Sequence, residues 1–309
     1  MTLGLVGDVG GTNGRFALVD LDGVRSTHTW ATAKLPTLSS IAAHFGFVEQ
    51  RPGFACIAVA APVSGPSVTL TNANVHLDVG TLGIPRARLA NDLEAAAAGV
   101  LDVPQALRDD VVQGERDPSR PALVVGLGTG LGVAVRLPDG QIVSGEGGHG
   151  AFAPNQPTTM ELALQLSDRL GRPAEWEDVL CGRGFGRLVA WTRGQRELAV
   201  SRDVGALEQL ARSTTAEPSS PAHELFAGAI ADFIRGMAFT VCAGEIFLCG
   251  GVSGHLRHLF RLPTFESRLR VHGPVSHVLA GVPVTVITDD QLALRGCIRL
   301  SRRWYPTAS

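Results

Sequence analysis

The sequence predicts a two-domain α/β protein, and three observations lead to this fold class. The length of 309 residues suits two domains of about 100–200 residues each. A pattern of apolar strand, glycine turn and apolar strand occurs near residue 10 and recurs near residue 129. Segments 160–170 and 224–241 carry the helical hydrophobic period. An apolar fraction of 45% is enough to form a sizeable core.

Elements of the first domain follow from short apolar runs and their turn residues. Runs 3–6 and 15–19 flank the first glycine turn and predict a hairpin. Runs 54–59 and 86–90 predict two further strands, and 68–71 is expected to continue the same sheet. The alanine-rich segment 93–100 is typical of a helix.

Elements of the second domain begin after segment 109–121, which mixes charge, glycine and two prolines and is predicted to be a loop. Strands are expected at 122–125 and 133–135, around the second glycine turn. Segment 213–221 is rich in Ser, Thr and Pro and is predicted to be an exposed loop. The remaining predicted elements are a strand at 245–249, a strand at 282–287 and a final helix at 292–300.

Composition and charge exclude several classes of protein. The net charge is −2 and no basic block occurs, so no nucleic-acid partner is expected. The only lysine is Lys34, which has no glycine loop beside it. This argues against P-loop NTPases, protein kinases and Schiff-base enzymes.

Cellular location is predicted from what the sequence lacks. There is no apolar run of 18 residues and no basic, apolar leader at the N-terminus. The five cysteines are scattered without a C-x-x-C pair, which favours reduced, mostly buried thiols. We therefore expect a cytoplasmic protein with no membrane partner.

The first glycine turn, Asp8-Val9-Gly10-Gly11-Thr12-Asn13, is a candidate phosphate site. A glycine pair lets backbone N–H groups approach a phosphate closely. Asp8, at the end of a strand, is suited to the magnesium that accompanies a nucleotide. The alternative is an ordinary hairpin in which these residues only satisfy turn geometry.

The second turn, from Gly126 to Gly132, reads G-x-G-T-G-x-G, which is denser in glycine than a hairpin needs. It is not the dinucleotide fingerprint, because a strand rather than a helix follows. Two such turns suggest two walls of one phosphate site. Gly250-Gly251, after an apolar strand, is a third candidate, suited to the approach of a nucleoside.

Three acidic positions are candidates for chemistry. Asn91-Asp92 lies where a strand meets a helix, so it is either a helix cap or the site of a general base for phosphoryl transfer.

Glu146 and His149 lie in a glycine-rich loop. Their E-x-x-H spacing is found in metal sites, but Gly147-Gly148 argues against the helix that such a ligand pair needs. A carboxylate with an imidazole is also what grips adjacent sugar hydroxyls. Glu177 is either another hydroxyl acceptor or a solvated helix residue.

Together these motifs resemble the bacterial ATP-dependent glucokinases, within the sugar kinase/heat-shock protein 70/actin superfamily. The resemblance covers nearly the whole chain in the same order. It includes the two phosphate motifs at 6–13 and 126–132, the T-N segment at 70–72 and the N-D pair at 91–92. It also includes Gly145-Glu146-Gly147-Gly148-His149, followed by Phe152-Ala153-Pro154-Asn155, and Glu177-Asp178-Val179-Leu180-Cys181-Gly182.

The resemblance implies a ribonuclease H-like (actin-like ATPase) fold with a cleft between a small α/β domain and a larger α+β domain. The small domain would comprise residues 1–102 with 290–309, and the large domain 103–289. The implied reaction is phosphorylation of D-glucose at the 6-hydroxyl by Mg-ATP, with Asp92 as general base. A homodimer is possible.

The resemblance also assigns site residues. Sugar-binding residues would be Asn72, Asn91, Asp92, Glu146, His149 and Glu177. Nucleotide-binding residues would be Gly7, Asp8, Gly10, Gly11, Thr12, Asn13, Gly128, Thr129, Gly130, Gly250 and Gly251. Asp8 would hold Mg²⁺ through water.

Three departures from the family pattern leave alternatives open. Val75 stands where an aromatic residue is frequent, Cys181-Gly182-Arg183-Gly184 replaces S-G-P-G, and segment 292–296 replaces G-L-L-G. The alternatives are a kinase for another hexose or phosphoryl donor, and a sugar sensor without catalysis. A sensor normally carries a DNA-binding segment, for which no room is expected before the first strand.

Overall fold

The computed structural model describes residues 3–20, 23–48, 51–70, 74–214, 220–270 and 273–304. The chain forms two compact units. Unit 1 comprises Met1–Pro104 with Asp289–Ser309, and unit 2 comprises Gln105–Thr288.

Unit 1 is built on a five-stranded sheet with the order β3-β2-β1-β4-β7. The strands β1, β2 and β3 form an antiparallel meander, whereas β1, β4 and β7 run parallel. A separate antiparallel pair, β5 and β6, forms a second sheet. The bounds are β1 Gly4–Val9, β2 Asn13–Asp20, β3 Gly23–Ala31, β4 Phe54–Val59, β5 Ser67–Leu70, β6 Val75–Asp78 and β7 Ala87–Asn91.

The three parallel strands of unit 1 are mostly buried, as expected for strands that carry helices on their faces. The helices of this unit are α1 Leu38–His44, α2 Asp92–Gly99 and α11 Leu292–Trp304. Helices α2 and α11 pack closely, because a Cβ at Gly296 would lie 1.7 Å from the carbonyl oxygen of Ala95. Helix α11 also contacts β1 and β4, so it packs against the sheet of unit 1.

Unit 2 is built on a six-stranded sheet with the order β11-β10-β9-β12-β13-β8. Strands β9, β12 and β13 are parallel, and the three outer strands are antiparallel to their neighbours. The bounds are β8 Arg108–Val112, β9 Ala122–Leu127, β10 Leu131–Arg136, β11 Ile142–Gly145, β12 Glu245–Cys249 and β13 Val284–Ile287.

The helices of unit 2 enclose a large apolar core that includes Trp191, Phe226 and Phe233. The longest is α8, of 21 residues. The bounds are α3 Pro157–Leu170, α4 Trp176–Val179, α5 Gly182–Thr192, α6 Arg196–Ala199, α7 Val204–Thr214, α8 Pro221–Val241, α9 Gly251–His255 and α10 Pro263–Leu269.

Three sequence-based predictions are wrong in whole or in part. Segment 213–221 is not all loop, because α7 extends to Thr214 and α8 begins at Pro221, while 215–219 lie outside the described residues. Segment 109–121 is not entirely loop, since β8 covers its first residues and pairs with β13, and the Thr285 hydroxyl donates a 2.6 Å hydrogen bond to Asp110. Residues 68–70 do not extend the main sheet, because β5 pairs with β6 in a separate two-stranded sheet, and residue 71 lies outside the described residues. The strands predicted at 54–59 and 245–249 are confirmed at the same bounds.

The cysteines and the helix lengths bear on the expected location of the protein. Of the five cysteines, none of which forms a disulfide, Cys242 is exposed and the other four are buried. Within the described residues, no helix has the length and apolar character needed to cross a membrane.

Candidate active site

The first glycine turn joins β1 to β2 and is fixed by backbone hydrogen bonds. The Gly10 N–H donates to the Asn13 carbonyl at 3.0 Å. Thr32 closes the turn from the end of β3, because its N–H donates to the Thr12 carbonyl and its hydroxyl to the Gly10 carbonyl. Gly11, Thr12 and Asn13 remain exposed, so a ligand can reach them.

The glycines of this turn are not required by packing within the chain. A Cβ on Gly11 would meet no heavy atom within 4 Å, and one on Gly10 would meet only the Asn13 carbonyl at 3.8 Å. Neither residue has a positive φ. Gly7 differs, because a Cβ there would lie 2.6 Å from the Phe16 ring. The space beside Gly10 and Gly11 therefore suits a close ligand, while Gly7 serves the packing of the sheet.

Asp8 is a half-buried carboxyl group near the end of β1. It is paired in register with Arg15 of β2, whose guanidinium also donates to the carbonyl and carboxylate of Asp290. Burial raises the pKa of Asp8 from 3.8 to about 6, and the charge of Arg15 offsets this only in part. A cation near Asp8 would favour its ionised form.

Asn91 and Asp92 lie at the carboxyl end of β7, where α2 begins. The Asn91 carboxamide oxygen accepts hydrogen bonds from the N–H groups of Leu93 and Glu94, so this side chain is an N-cap. Its NH₂ group donates to the Ala61 carbonyl at 3.3 Å. Asn91 therefore caps α2, which is one of the two roles that the sequence predicts for the Asn91-Asp92 pair.

Asp92 shares a sheet edge with the first glycine turn. Asp8 pairs with Ala58 in β4, and Ala58 pairs with Ala90 in β7. Two strand spacings separate β1 from β7, which is about 10 Å. The carboxyl groups of Asp8 and Asp92 thus belong to one edge of the unit 1 sheet, where ligands of open parallel sheets bind.

The second glycine turn joins β9 to β10 in unit 2. The Gly128 N–H donates to the Gly130 carbonyl at 2.9 Å, and the Gly128 carbonyl accepts from Gly182 N–H, at the start of α5, at 3.0 Å. A Cβ on Gly128 would meet no heavy atom within 4 Å. Thr129 is exposed at the tip of the turn.

Gly250 and Gly251 lie next to this turn, because β12 pairs with β9 and Cys249 is in register with Gly126. Gly250 has φ 92°, and a Cβ there would lie 2.4 Å from the Leu127 carbonyl, so the fold itself requires glycine. A Cβ on Gly251 would meet no heavy atom within 4 Å. Gly128 and Gly251 are thus the open positions at this edge of the unit 2 sheet.

Glu177 and Arg183 brace the second turn. Glu177 Oε2 accepts from the Leu131 N–H at 2.9 Å, and Arg183 donates to Glu177 Oε1 at 2.8 Å and to the Thr129 carbonyl at 3.0 Å. A Cβ on Gly130 would lie 2.6 Å from Glu177 Oε2, so a side chain there would displace this carboxylate. Glu177 is therefore not a merely solvated helix residue, and the departure at Arg183 has a structural role.

Glu146 precedes a single turn of 3₁₀ helix, Gly147–His149, and His149 is the last residue of that turn. Residues three apart in such a turn lie on the same side. Gly148 is packed against β10, since its Cβ would lie 2.1 Å from the Leu131 carbonyl. The two glycines thus let the loop lie flat on the sheet, while Glu146 and His149 are exposed.

Glu175 belongs to this cluster and was missed by the sequence analysis. His149 Nδ1 and Glu175 Oε2 are 2.8 Å apart. The hydrogen bond to Glu175 raises the pKa of His149, and the charges of Glu177, Glu175 and Glu146 add to the increase. The only available signal was its place before Trp176-Glu177-Asp178, which is typical of a helix cap rather than of a ligand.

Asn72, the last of the predicted sugar-binding residues, lies outside the described residues. His255 hydrogen bonds to the Gly251 carbonyl, and His258 packs against His223, so both histidines make contacts within the fold. Within the described ranges, no three His, Cys, Asp or Glu side chains are grouped as a metal site.

Comparisons with known proteins support one family. The glucokinase family model matches residues 5–303. A glucokinase of Marinobacter nauticus is 32% identical over 312 residues, covering 94% of this chain and 95% of its own length. Relatives described as bifunctional proteins in Paraburkholderia and Burkholderia are longer, and the chain spans about half of their length (48% and 47%).

Solved structures agree with the predicted fold class. Glucokinase from an Antarctic psychrotroph has a TM-score of 0.81 at 25% identity, covering 98% of this chain and 99% of the other. A ROK family glucokinase from Streptomyces griseus, solved with glucose and AMPPNP, has a TM-score of 0.63 at 20% identity, with coverages of 97% and 99%. The expected actin-like ATPase fold is confirmed. The match of one family model to nearly all residues, together with these relatives, shows that the chain belongs to the glucokinase family.

Proposed function

We propose that this chain is an ATP-dependent glucokinase that transfers the terminal phosphoryl group of Mg-ATP to the 6-hydroxyl of D-glucose, with Asp92 as the general base. The products are glucose 6-phosphate and ADP. The observation that carries the chemical part is the shared sheet edge of Asp92 and the first glycine turn in unit 1. Membership of the glucokinase family supports the substrate and the donor.

The assignment of Asp92 as the base is supported by its place at the start of α2. It is the first residue of α2, and its Oδ1 accepts a 2.9 Å hydrogen bond from the Leu93 N–H. Since Asn91 already caps the helix, the Asp92 carboxylate is not needed for that purpose. An ionised carboxylate accepts the proton of the attacking hydroxyl as the oxygen bonds to phosphorus.

Phosphate binding is assigned to the two glycine turns. Gly11, Thr12 and Asn13 in unit 1 and Thr129 in unit 2 are exposed and carry backbone N–H groups and hydroxyls, and Gly11 and Gly128 have no side chain that would block approach. Such arrays of N–H groups stabilise phosphoryl oxygens without a lysine. This agrees with the presence of a single lysine, Lys34, in the whole chain.

Magnesium is assigned to Asp8, through water. The carboxyl group suits this task because it is an oxygen donor at the phosphate turn, and its burial disfavours the ionised form unless a cation is near. Bound Mg²⁺ would neutralise negative charge on the ATP phosphates. In unit 2, Glu146, His149 and Glu177 are assigned to the sugar hydroxyls, and Asn72 joins them in the proposal.

The test of Asp92 uses the variant Asp92→Asn, with Glu94→Gln on the same helix as a control. The asparagine keeps an oxygen for the Leu93 N–H but cannot take a proton. We expect kcat to fall roughly 10²–10⁴-fold, while glucose binding measured by calorimetry stays close to that of the wild type. Turnover within about tenfold of the wild type would exclude the role of base.

A further inference from the structure

The feature of interest is the pair formed by His149 and Glu175. Their side chains are 2.8 Å apart, and a carboxylate can only accept, so Nδ1 of the ring donates the hydrogen bond. The Glu175 side chain is 23% exposed and that of His149 is 53% exposed. The ring thus has one fixed edge and one open edge, and the described residues provide no hydrogen-bond partner for Nε2.

The backbone holds the two residues together. Ala151 and Glu175 form an antiparallel bridge. The Trp176 N–H donates to the Gly150 carbonyl at 3.0 Å, and the Phe152 N–H donates to the Ala174 carbonyl at 2.8 Å. The segment after His149 therefore lies beside the start of α4, whatever the two side chains do.

Glu175 has partners for both its backbone and its carboxylate. It is the N-cap of α4 and forms a capping box with Asp178, whose carboxylate accepts from the Glu175 N–H at 2.9 Å. Arg172 binds Asp178 with both terminal nitrogens, at 2.8 and 3.1 Å, and lies 3.4 Å from Glu175 Oε1. With Oε1 near Arg172 and Oε2 on Nδ1 of His149, the Glu175 carboxylate can orient the imidazole ring.

We propose that Glu175 is a positioning residue for sugar binding: it fixes the His149 ring with Nδ1 turned to Glu175 and leaves Nε2 for a sugar hydroxyl. This inference rests on the proposed function, since it assigns the open edge of His149 to the hexose. It adds a residue outside the family motifs quoted above, in which Glu175 does not occur.

The charges around His149 give the pair a measurable signature. Glu146 faces it from the same loop, and Glu175 and Glu177 face it from α4. The nearby cations are Arg172, paired with Asp178 and Glu175, and Arg183, paired with Glu177. The hydrogen bond to Glu175 is the largest cause of the raised His149 pKa, and the charge of Glu175 adds to it. Replacing the carboxylate weakens the first and removes the second, so the pKa of His149 falls towards its usual value.

The test uses two variants and a control in the full chain. Glu175→Gln keeps the length of the side chain and removes the charge; Glu175→Ser keeps a capping oxygen but cannot reach His149. Glu161→Gln, on α3, is the matched control. We expect NMR titration of the His149 ring to give a lower pKa in both Glu175 variants and no change in the control.

Kinetics then separate positioning from a purely structural role. In Glu175→Ser we expect the KM for glucose to rise about tenfold, the factor for one charge-assisted hydrogen bond of modest strength. The kcat and the KM for ATP should stay within about threefold of the wild type. An unchanged His149 pKa in both variants, or an unchanged KM for glucose in a folded Glu175→Ser protein, would overturn the proposal.

Failure of this inference can be told apart from failure of the proposed function. If glucose shifts the His149 resonances but no ADP is released, the glucokinase assignment fails and the positioning role stands. If ADP release is normal while glucose leaves the His149 resonances unmoved, the positioning role is overturned alone.

Discussion

Replacing Gly11 with alanine is expected to raise stability and impair nucleotide binding. The new Cβ would meet no heavy atom of the chain within 4 Å, and φ is not positive, so the backbone accepts it. Alanine at a compatible glycine position stabilises by about 0.4–1 kcal/mol, because the unfolded chain has fewer conformations. This corresponds to a gain of about 1–4 °C in Tm.

The loss in binding follows from the same methyl group. If it holds the turn away from a phosphate and one charge-assisted hydrogen bond is lost, the cost is about 1.5–3 kcal/mol. The KM for ATP then rises about 10- to 150-fold. The assay is steady-state ADP release with ATP varied at saturating glucose, alongside thermal unfolding without ligands.

Gly65→Ala is the matched control. Gly65 is in the same unit, has no positive φ and would also place its Cβ in open space, but it lies outside both glycine turns. It should give a similar gain in Tm with no change in KM. The reasoning is refuted if Gly11→Ala keeps the KM for ATP within about twofold of the Gly65→Ala value.

Three further predictions concern the core, the buried acid and the second turn. Gly296→Ala should lower the free energy of unfolding by about 1–3 kcal/mol or more in denaturant titrations, because its Cβ would lie 1.7 Å from the Ala95 carbonyl; an unchanged midpoint would contradict the close packing of α2 on α11. Burial raises the pKa of Asp8 from 3.8 to about 6 in the folded protein, so the protonated carboxyl group stabilises the folded state. This stabilisation is fully present below about pH 3.8 and is lost as pH rises through 6. Asp8→Asn should therefore raise Tm most near pH 8, where Asp8 is ionised, and hardly at all towards pH 4, in unfolding scans without ligands. A rise in Tm that does not depend on pH would contradict the raised pKa of Asp8. Arg183→Ala removes the hydrogen bond to the Thr129 carbonyl and the ion pair with Glu177, so the KM for ATP should rise about tenfold. An unchanged KM would show that the second glycine turn keeps its shape without Arg183.

Strands with long apolar runs were predictable from sequence alone, whereas polar strands were not. Strand β4 was predicted at its observed bounds because nearly all of its residues are buried. Strand β3 was not predicted, since most of its residues are exposed and it exists through pairing with β2 at the sheet edge. Strand β8 was taken for loop because Asp109 and Asp110 suggest solvent, and only its pairing with β13 makes it a strand.

Helix α5 was missed for a different reason. Its glycines lower helix propensity, but two of them are demanded by tertiary packing. A Cβ on Gly184 would lie 2.3 Å from the Val179 backbone, and one on Gly186 would lie 2.1 Å from the Leu207 carbonyl. Local sequence shows the cost of these glycines and not the close contacts that require them.

The candidate site was predictable where function depends on motifs, and not where it depends on packing. The glycine turns, Asp92 and the Glu146–His149 loop were identified by residue type and spacing. The sequence did not show which glycines are required by packing and which leave space for a ligand. In the structure, Gly7 and Gly250 are required by packing, whereas Gly11 and Gly128 leave open space. Glu175 and the bracing of Glu177 by Arg183 depend on side-chain contacts that no spacing rule supplies.

The most direct test of the central claim is a ³¹P NMR measurement of the products formed by the wild-type chain from glucose and Mg-ATP. The account predicts glucose 6-phosphate and ADP in equal amounts, with ADP formation negligible when glucose is omitted. ADP release that does not depend on glucose, or rapid phosphorylation of mannose or fructose but not of glucose, would contradict the glucokinase assignment.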